Sequence, residues 1–204
     1  MKALQSINFK NKKALIRVDF NVPLNAQFEV TDATRIVSAK PTIMKVLEDG
    51  GSCILMSHLG RPKSQEPAFS LRHIVSTLET VLGIEVLFST NCIGQNAQTA
   101  CDNLKPGQVL LLENLRYHAE ETNGSLGFAE ALSNLGDFYI NDAFGTAHRA
   151  HASTTIIAQF FSENKCFGSL LAQEIESIDK VMQTGEKPVL AILGGAKVLS
   201  LIHI

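Results

Sequence analysis

Residues 137–154 read DFYINDAFGTAHRAHAST. Asp137 is followed by three consecutive apolar residues, Phe138–Ile140, which predict a short buried strand. Asn141 and Asp142 follow at once, and a glycine-containing turn then leads into the basic segment His148–His151. Polar, charged and glycine residues directly after a buried strand are typical of a ligand-binding loop at the carboxyl end of a parallel sheet. The segment therefore predicts one strand and one binding loop.

Apolar runs of strand length alternate with helix-length segments along the rest of the chain. The predicted strands are Ala14–Val18, Cys53–Met56, Glu85–Phe88, Gln108–Leu112, Phe138–Ile140 and Val189–Leu193. The predicted helices are Asp32–Asp49, Ser70–Leu82, Gly94–Asn103, Leu126–Leu135 and Ser169–Thr184. Because the strands are continuously apolar, both faces of the sheet should be covered. The order predicts an α/β fold with a doubly wound, mainly parallel six-stranded sheet, helices on both faces and a Rossmann-like architecture. Pro41 predicts a kink or break in the first helix.

Composition narrows the class of protein. The 204 residues are 45% hydrophobic and 19% charged, which is ordinary for a globular protein of one large domain, or of one domain and the start of another. A net charge of −2 favours neither nucleic acid nor membrane as a partner. We see no apolar run near the ~20 residues that span a bilayer, and no signal peptide. The four scattered cysteines predict reduced thiols in the cytoplasm rather than a metal site.

The arginines are concentrated where predicted strands end. The chain has six, and four of them lie in or just before strand-end segments while a fifth opens the first helix. These five are Arg17, Arg35, Arg61, Arg116 and Arg149. Guanidinium groups match phosphate and carboxylate oxygens, and several on one edge would repel each other without an anion between them. The pattern predicts a pocket for a small anion that carries both a phosphate and a carboxylate. The alternative is that each arginine pairs with a nearby acid, such as Asp19, Glu113 or Asp142.

Other polar residues share these segments. Asp19 and Asn21 are expected to accept hydrogen bonds from a ligand hydroxyl or to orient the arginines, and His58 is expected to donate to a phosphate oxygen. Glu113 and Asp142 are candidates for supporting these side chains, and no role is assigned to His148 or His151. A further set, Gly194, Gly195 and Lys197, suggests backbone N–H groups and an ammonium facing another phosphate. The chain has neither a P-loop motif nor GxGxxG.

Five blocks of the sequence together resemble the phosphoglycerate kinase family. They are RVDFNVP (Arg17–Pro23), SHLGRPK (Ser57–Lys63), LENLRY (Leu112–Tyr117), NDAFGTAHRAHAST (Asn141–Thr154) and LGGAKV (Leu193–Val198). The resemblance implies a phosphotransferase of glycolysis and gluconeogenesis that interconverts 1,3-bisphosphoglycerate plus ADP and 3-phosphoglycerate plus ATP. It also implies Mg²⁺ carried with ATP or ADP, bound mainly by a second lobe.

The resemblance assigns roles to individual residues. Carried over by motif, the phosphoglycerate-binding residues are Asp19, Asn21, Arg35, His58, Arg61, Arg116 and Arg149. Arg17 joins them from its place at a strand end. Arg35 is also expected to stabilise charge on the transferring phosphoryl group, as a catalytic residue. Gly194, Gly195 and Lys197 are expected to contact the nucleotide.

The resemblance also divides the chain. Residues 1–185 are expected to form the phosphoglycerate-binding lobe, and residues 186–204 the truncated start of the nucleotide-binding lobe. Leu201 stands where the family has a second lysine, and residues 199–204 (LSLIHI) do not resemble the family. The chain is expected to be a monomer that binds phosphoglycerate but does not turn over alone, since the reaction needs two lobes to close. The alternatives are a stand-alone phosphometabolite-binding module and a dinucleotide-binding oxidoreductase domain, which the missing GxGxxG disfavours.

Overall fold

A computed structural model of the chain describes residues 3–147 and 149–185. It divides into two units, Met1–Ala172 and Gln173–Ile204. All the strands described below belong to the first unit. The predicted strand Val189–Leu193 and the predicted start of a second lobe at residues 186–204 lie outside the described residues. The predicted domain division at residue 185 stays a prediction.

The first unit is built on one six-stranded sheet in which every pairing is parallel. The strands are β1 (Lys13–Val18), β2 (Ser52–Met56), β3 (Val86–Ser89), β4 (Val109–Leu112), β5 (Phe138–Asp142) and β6 (Lys165–Phe167). Their order across the sheet is β3-β4-β2-β1-β5-β6. Helical crossovers on both sides of β1 give the doubly wound α/β fold that the alternating sequence pattern predicts.

The sixth strand is not one that the sequence pattern predicts. β6 lies at the edge of the sheet, where Cys166 is in register with Ile140 of β5. It is only three residues long, and just one of them, Cys166, is buried. A run this short carries no periodic signal, because strand recognition depends on several consecutive apolar positions. The other five strands lie within two residues of their predicted bounds.

Five of the described α-helices lie within predicted segments, and two short ones, Ala119–Thr122 and Phe144–Ala147, are not predicted. In chain order, the described α-helices are α1 (Thr34–Glu48), α2 (Val75–Leu82), α3 (Gly94–Asp102), α4 (Ala119–Thr122), α5 (Leu126–Ser133), α6 (Phe144–Ala147) and α7 (Ser169–Thr184). A 3-10 turn, Leu71–Ile74, replaces the first part of the predicted helix Ser70–Leu82. The remaining helical turns are 3-10 at Leu4–Ser6, Pro67–Phe69, Leu115–Tyr117 and Ile157–Gln159, and a π-turn at Ala152–Ile156.

The sequence predicts a kink or a break at Pro41, and the break is absent, because α1 continues through Pro41 to Glu48. Proline cannot donate to the carbonyl four residues earlier, which belongs to Val37. Pro41 and Val37 are both exposed, so water can reach this face of the helix. The opposite face is held by the buried residues Ile36, Ile43 and Val46. Burial of that apolar face keeps the helix whole.

Side chains of successive strand residues enter two separate cores on opposite faces of the sheet. On one face, Ile16 and Leu55 pack in a cluster with the buried residues of α1 and α2. On the other, Leu15 and Ile54 pack in a cluster with the buried residues of α3 and α5. This alternation is the period of a β-strand, and it explains why the strands must be apolar throughout.

Candidate functional site

Loops from four neighbouring strands meet at the carboxyl edge of the sheet. β4, β2, β1 and β5 are adjacent in that order, so the residues that follow them lie side by side. Together with the start of α1 they enclose a pocket of about 330 Å³. Its lining residues are Asp19, Asn21, Arg35, His58, Gly60, Arg61, Arg116, Gly145, Thr146 and Arg149. We refer to this cavity as the anion pocket.

Positive charge dominates the anion pocket. Four guanidinium groups, those of Arg35, Arg61, Arg116 and Arg149, share it with the carboxylate of Asp19. Burial, and after it the charges of Arg17, Arg149 and Arg61, lower the pKa of Arg116. A guanidinium whose pKa is depressed by its neighbours is one that lies close to other positive groups. The arrangement therefore favours a ligand with more than one negative charge.

Asp19 and Arg35 form an ion pair inside this set. The same carboxylate also accepts a hydrogen bond from the backbone N–H of Asn21, at 3.2 Å. Its other neighbour is His58, whose Nδ1 lies 4.0 Å from Oδ1 of Asp19. The Asp19 carboxylate thus contacts Arg35, as expected if Asp19 orients that side chain. The same ion pair also agrees with the alternative that each arginine pairs with a nearby acid. The other two acids named in that alternative behave differently.

Glu113 accepts hydrogen bonds from the Ser70 hydroxyl at 2.7 Å and from the Leu71 N–H at 2.8 Å. Asp142 accepts from the N–H groups of Leu170 and Leu171, at 2.9 and 3.1 Å. Burial raises the pKa of the Asp142 carboxyl group. Both acids therefore hold backbone segments, Glu113 at the start of the 3-10 turn Leu71–Ile74 and Asp142 at the start of α7.

The loop after β2 is fixed from both sides. The Gly60 N–H donates to the side-chain oxygen of Asn21 at 2.8 Å, and the Gly60 carbonyl accepts from Arg116 Nη1 at 2.7 Å. Gly60 has a φ of +62°, and a Cβ there would lie 2.4 Å from the Phe69 ring, so the position requires glycine. The amide of Asn114 donates to the carbonyls of Leu59 and Phe69, both at 2.8 Å. These contacts hold His58 and Arg61 in place.

Arg17 lies beneath the anion pocket rather than in its lining. It is 1% exposed, and its guanidinium donates to the Ser153 hydroxyl at 2.9 Å and to the Val18 carbonyl. Its third nitrogen, Nη2, lies 3.2 Å from Nδ1 of His58. Burial, followed by the charges of Arg17, Arg116 and Arg35, lowers the pKa of His58 to about 2. His58 is therefore neutral at physiological pH.

The structure brings seven of the eight predicted binding residues into one lining, with Arg17 as the exception. His151 is buried below the pocket, where its Nδ1 lies 3.9 Å from Glu121 Oε1, and burial lowers its pKa. His148, Gly194, Gly195 and Lys197 lie outside the described residues.

Sequence reasoning did not single out several residues that the geometry makes important. Gly145 and Thr146 line the anion pocket, and both belong to the segment 137–154, so their position after β5 was an available signal. Glu121 and Ser153 lie below it, where the Ser153 hydroxyl donates to Glu121 at 2.6 Å. Nothing in the sequence indicates that contact, because the two residues are 32 positions apart and belong to no shared motif.

A second cavity of about 370 Å³ lies on the other side of Arg61, Arg116 and Arg149. Its remaining lining includes Lys63, Tyr117 and His118. The Tyr117 hydroxyl donates to the Glu66 carbonyl at 2.6 Å, and burial raises the pKa of this phenol to about 12. The three arginines thus border two cavities.

In the part of the chain that the structure describes, no three His, Cys, Asp or Glu side chains are grouped so that they could hold a metal ion. Across the same residues, no helix combines the length and the apolar character needed to cross a membrane. The four cysteines are unpaired and buried.

Comparison with known proteins gives one consistent result. A family model for phosphoglycerate kinase matches residues 4–204. The phosphoglycerate kinase of Porphyromonas gingivalis is 45% identical over 225 residues, which cover 98% of this chain and 54% of that protein. The phosphoglycerate kinase of Chlorobium luteolum is 46% identical over 204 residues, covering 100% of this chain and 51% of that protein. The chain spans about half the length of the curated relatives it matches.

Solved structures agree with the sequence comparison. The crystal structure of the phosphoglycerate kinase from Pyrococcus horikoshii superposes with a TM-score of 0.87 at 30% identity, over 97% of this chain and 49% of that one. The phosphoglycerate kinase from Coxiella burnetii gives a TM-score of 0.82 at 35% identity, with the same two coverages.

Proposed function

Because this chain belongs to the phosphoglycerate kinase family, we propose that its anion pocket binds 3-phosphoglycerate or 1,3-bisphosphoglycerate. The observation that carries the proposal is the convergence of four arginines from separate elements on one cavity of about 330 Å³. A three-carbon acid with a phosphate at one end and a carboxylate at the other would relieve their mutual repulsion. The enzyme would move a phosphoryl group between ATP and the carboxylate of 3-phosphoglycerate, as a cytoplasmic, monomeric kinase of glycolysis and gluconeogenesis.

The residues divide by chemistry in this proposal. Arg61, Arg116 and Arg149 contact the phosphate, and His58 donates a neutral N–H to one of its oxygens. The side chains of Asp19 and Asn21 receive the ligand hydroxyl. Supporting this division, the three phosphate-binding arginines border both cavities on one side of the pocket.

Arg35 is assigned to the carboxylate and to the phosphoryl group in transfer. The carboxylate oxygen attacks the terminal phosphorus of ATP, the bond to the bridging oxygen breaks, and ADP leaves with that oxygen. Charge builds up on the equatorial oxygens, where a positioned arginine is worth roughly 10³–10⁵-fold in rate. In support, the side chain of Arg35 is 51% exposed and can follow the reacting group. In keeping with the family, Mg²⁺ would arrive with the nucleotide and be bound mainly by a second lobe.

Calorimetric titration of the 204-residue chain with 3-phosphoglycerate tests the binding proposal. Replacing Arg61 with Met should weaken binding roughly 10- to 100-fold, the value of a charge-assisted hydrogen bond. Arg72→Met is the matched control, because that guanidinium lies over the Phe88 ring, 4.5 Å from its centre, and is not part of either cavity lining. No heat with the unaltered chain, or equal losses in both variants, would contradict the proposal.

We also propose that the 204 residues alone bind phosphoglycerate without turning it over, because the chain spans about half of its relatives. Shielding the reacting groups from water and bringing both substrates together needs the closure of a second lobe. Coupled assay of ADP formation in the presence of 3-phosphoglycerate and MgATP should give no rate above background. A robust rate would show that the nucleotide site is complete in this chain.

A further inference from the structure

Arg17 is the largest side chain that is fully buried in the first unit, and each of its three nitrogens faces a polar atom. Nε donates to Ser153 Oγ at 2.9 Å, Nη1 donates to the Val18 carbonyl, and Nη2 lies 3.2 Å from His58 Nδ1. A guanidinium has donors only. Nδ1 of His58 must therefore be the acceptor in this contact and cannot carry a proton.

The hydrogen bond between Arg17 Nε and Ser153 also has a fixed donor and a fixed acceptor. The Ser153 hydroxyl donates to Oε1 of Glu121 at 2.6 Å, so its oxygen remains available to accept from Arg17. The Ser153 N–H donates to Oε2 of the same carboxylate at 2.9 Å. Glu121 is 1% exposed. A buried negative charge is thus joined to a buried positive charge through one hydroxyl group.

We propose that Glu121, Ser153 and Arg17 are positioning residues that fix His58 as the neutral tautomer with its proton on Nε2. We call the three residues the buried polar chain. With Nδ1 occupied by Arg17, only Nε2–H of His58 is left to donate to a ligand in the anion pocket. The buried polar chain acts through position and charge, and no proton moves along it. The identity of the ligand rests on the function proposed above. The His58 tautomer does not depend on that function, because it follows from contacts within the protein.

The surroundings of His58 support a neutral ring. The positive groups that lower the pKa of His58, after burial, are those of Arg17, Arg116 and Arg35. The opposing group is Asp19, whose carboxylate is 4.0 Å from Nδ1 and is itself paired with Arg35. An ordinary histidine changes charge between pH 5 and 8. The tautomer fixed by the buried polar chain keeps the donor on Nε2 constant across that range.

Nuclear magnetic resonance of the 204-residue chain with ¹⁵N-labelled histidine tests this directly, in the absence of ligand. Long-range ¹H–¹⁵N correlations distinguish the two neutral tautomers and the charged ring, and the His58 signals are assigned by their loss in His58→Gln. We expect a single Nε2–H tautomer that does not titrate from pH 5 to 8. A protonated Nδ1, or titration near pH 6.5, would overturn the proposal.

Two variants interrupt the buried polar chain at different points. Ser153→Ala removes the hydroxyl between Arg17 and Glu121. Glu121→Gln leaves one acceptor oxygen where Ser153 presents two donors, its N–H and its hydroxyl, so one of these two contacts is lost. In each, we expect a second His58 species to appear and affinity for 3-phosphoglycerate to fall roughly tenfold. Ser133→Ala is the control, since that hydroxyl donates to Glu130 within α5 and should leave both measurements unchanged.

The outcomes separate the two proposals. Unchanged His58 nitrogen signals in both folded variants would refute the role of the buried polar chain. If one variant fails to fold, the other variant and the unaltered chain still test the role of the buried polar chain. The His58 tautomer is measured without ligand, so this test does not depend on binding. If the unaltered chain shows the expected tautomer but does not bind 3-phosphoglycerate, the proposed function is refuted and the proposed tautomer stands.

Discussion

The carboxylate of Asp19 accepts a hydrogen bond from the guanidinium of Arg35 within the anion pocket. Asp19 follows β1, and Arg35 is the second residue of α1, so the ion pair joins the end of a strand to the start of a helix. An incoming anion must share Arg35 with this carboxylate. The pair should therefore favour an anion that carries a separate hydroxyl group, because that group can donate to Asp19 while the anionic groups contact the arginines.

Replacing Asp19 with Asn should change that selectivity. Loss of the negative charge removes repulsion toward any anion, so the affinity for inorganic phosphate should rise a few-fold, while the affinity for 3-phosphoglycerate should rise less or fall. Calorimetry with both ligands measures the ratio. Asp102→Asn, which removes an exposed carboxylate near Lys13 instead, should leave the ratio as it is. An unchanged ratio in Asp19→Asn would contradict this reading of the ion pair.

A methyl group at position 145 should weaken binding without unfolding the protein. A Cβ on Gly145 would lie 3.3 Å from Oδ2 of Asp19, which is closer than ordinary contact and would shift the carboxylate. We expect several-fold weaker binding of 3-phosphoglycerate by Gly145→Ala and little change in thermal midpoint. Gly127→Ala is the matched control, since a Cβ there meets nothing within 4 Å, and alanine in a helix stabilises by up to about 1 kcal/mol. Equal binding by both variants would show that the Gly145 contact is irrelevant.

Stability should fall as the pH drops below 6.5, and His58 should cause much of the change. The pKa of His58 is about 2 in the folded chain against 6.5 for an ordinary histidine, so between these values only the unfolded chain takes up the proton. Stability therefore rises with pH across that window and levels off above it. At pH 5 the cost relative to pH 7 is about 2 kcal/mol. Urea unfolding of His58→Gln should show a correspondingly flatter dependence; a slope equal to that of the unaltered chain would argue against a neutral buried His58.

For Asp142, the dependence of stability on pH should have the opposite sign. Burial raises the pKa of its carboxyl group above 3.8, so the folded chain holds a proton that the unfolded chain has lost, and stability falls as the pH rises through that raised value. Asp142→Asn removes this cost while its side-chain oxygen still accepts from Leu170 and Leu171. The thermal midpoint of the variant should exceed that of the unaltered chain at pH 7, and the difference should shrink toward pH 4. A lower midpoint at pH 7 would mean that the charged carboxylate stabilises this loop.

The strands could be predicted from the sequence where runs of apolar residues are long enough to be recognised as buried strands. β1, β2, β4 and β5 are buried along their whole length or nearly so, and such runs stand out in sequence. β6 has one buried residue and owes its place to pairing with β5, a contact that sequence periodicity does not carry. The continuity of α1 through Pro41 is likewise decided by packing of its buried face.

The candidate site could be predicted to the extent that its residues follow strands directly. Asp19 does so, and Arg61 and Arg116 follow β2 and β4 within five residues; all three line the anion pocket. Arg17 is the penultimate residue of β1, on the same face as Leu15, so its side chain points toward the core beneath α5 and the π-turn. Which face a strand residue takes depends on the register of the whole sheet. Glu121 and Ser153 meet only because the chain folds, and no local pattern marks them.

Four guanidinium groups and one carboxylate in a single cavity leave the folded protein with repulsion that an anion would relieve. A ligand that binds only the folded chain shifts the folding equilibrium toward it. Proteases act on chains that have opened, so occupancy of the cavity should also lengthen the survival of the polypeptide. If that anion is the phosphoglycerate proposed above, a greater supply of it should lengthen the lifetime of each copy of this protein.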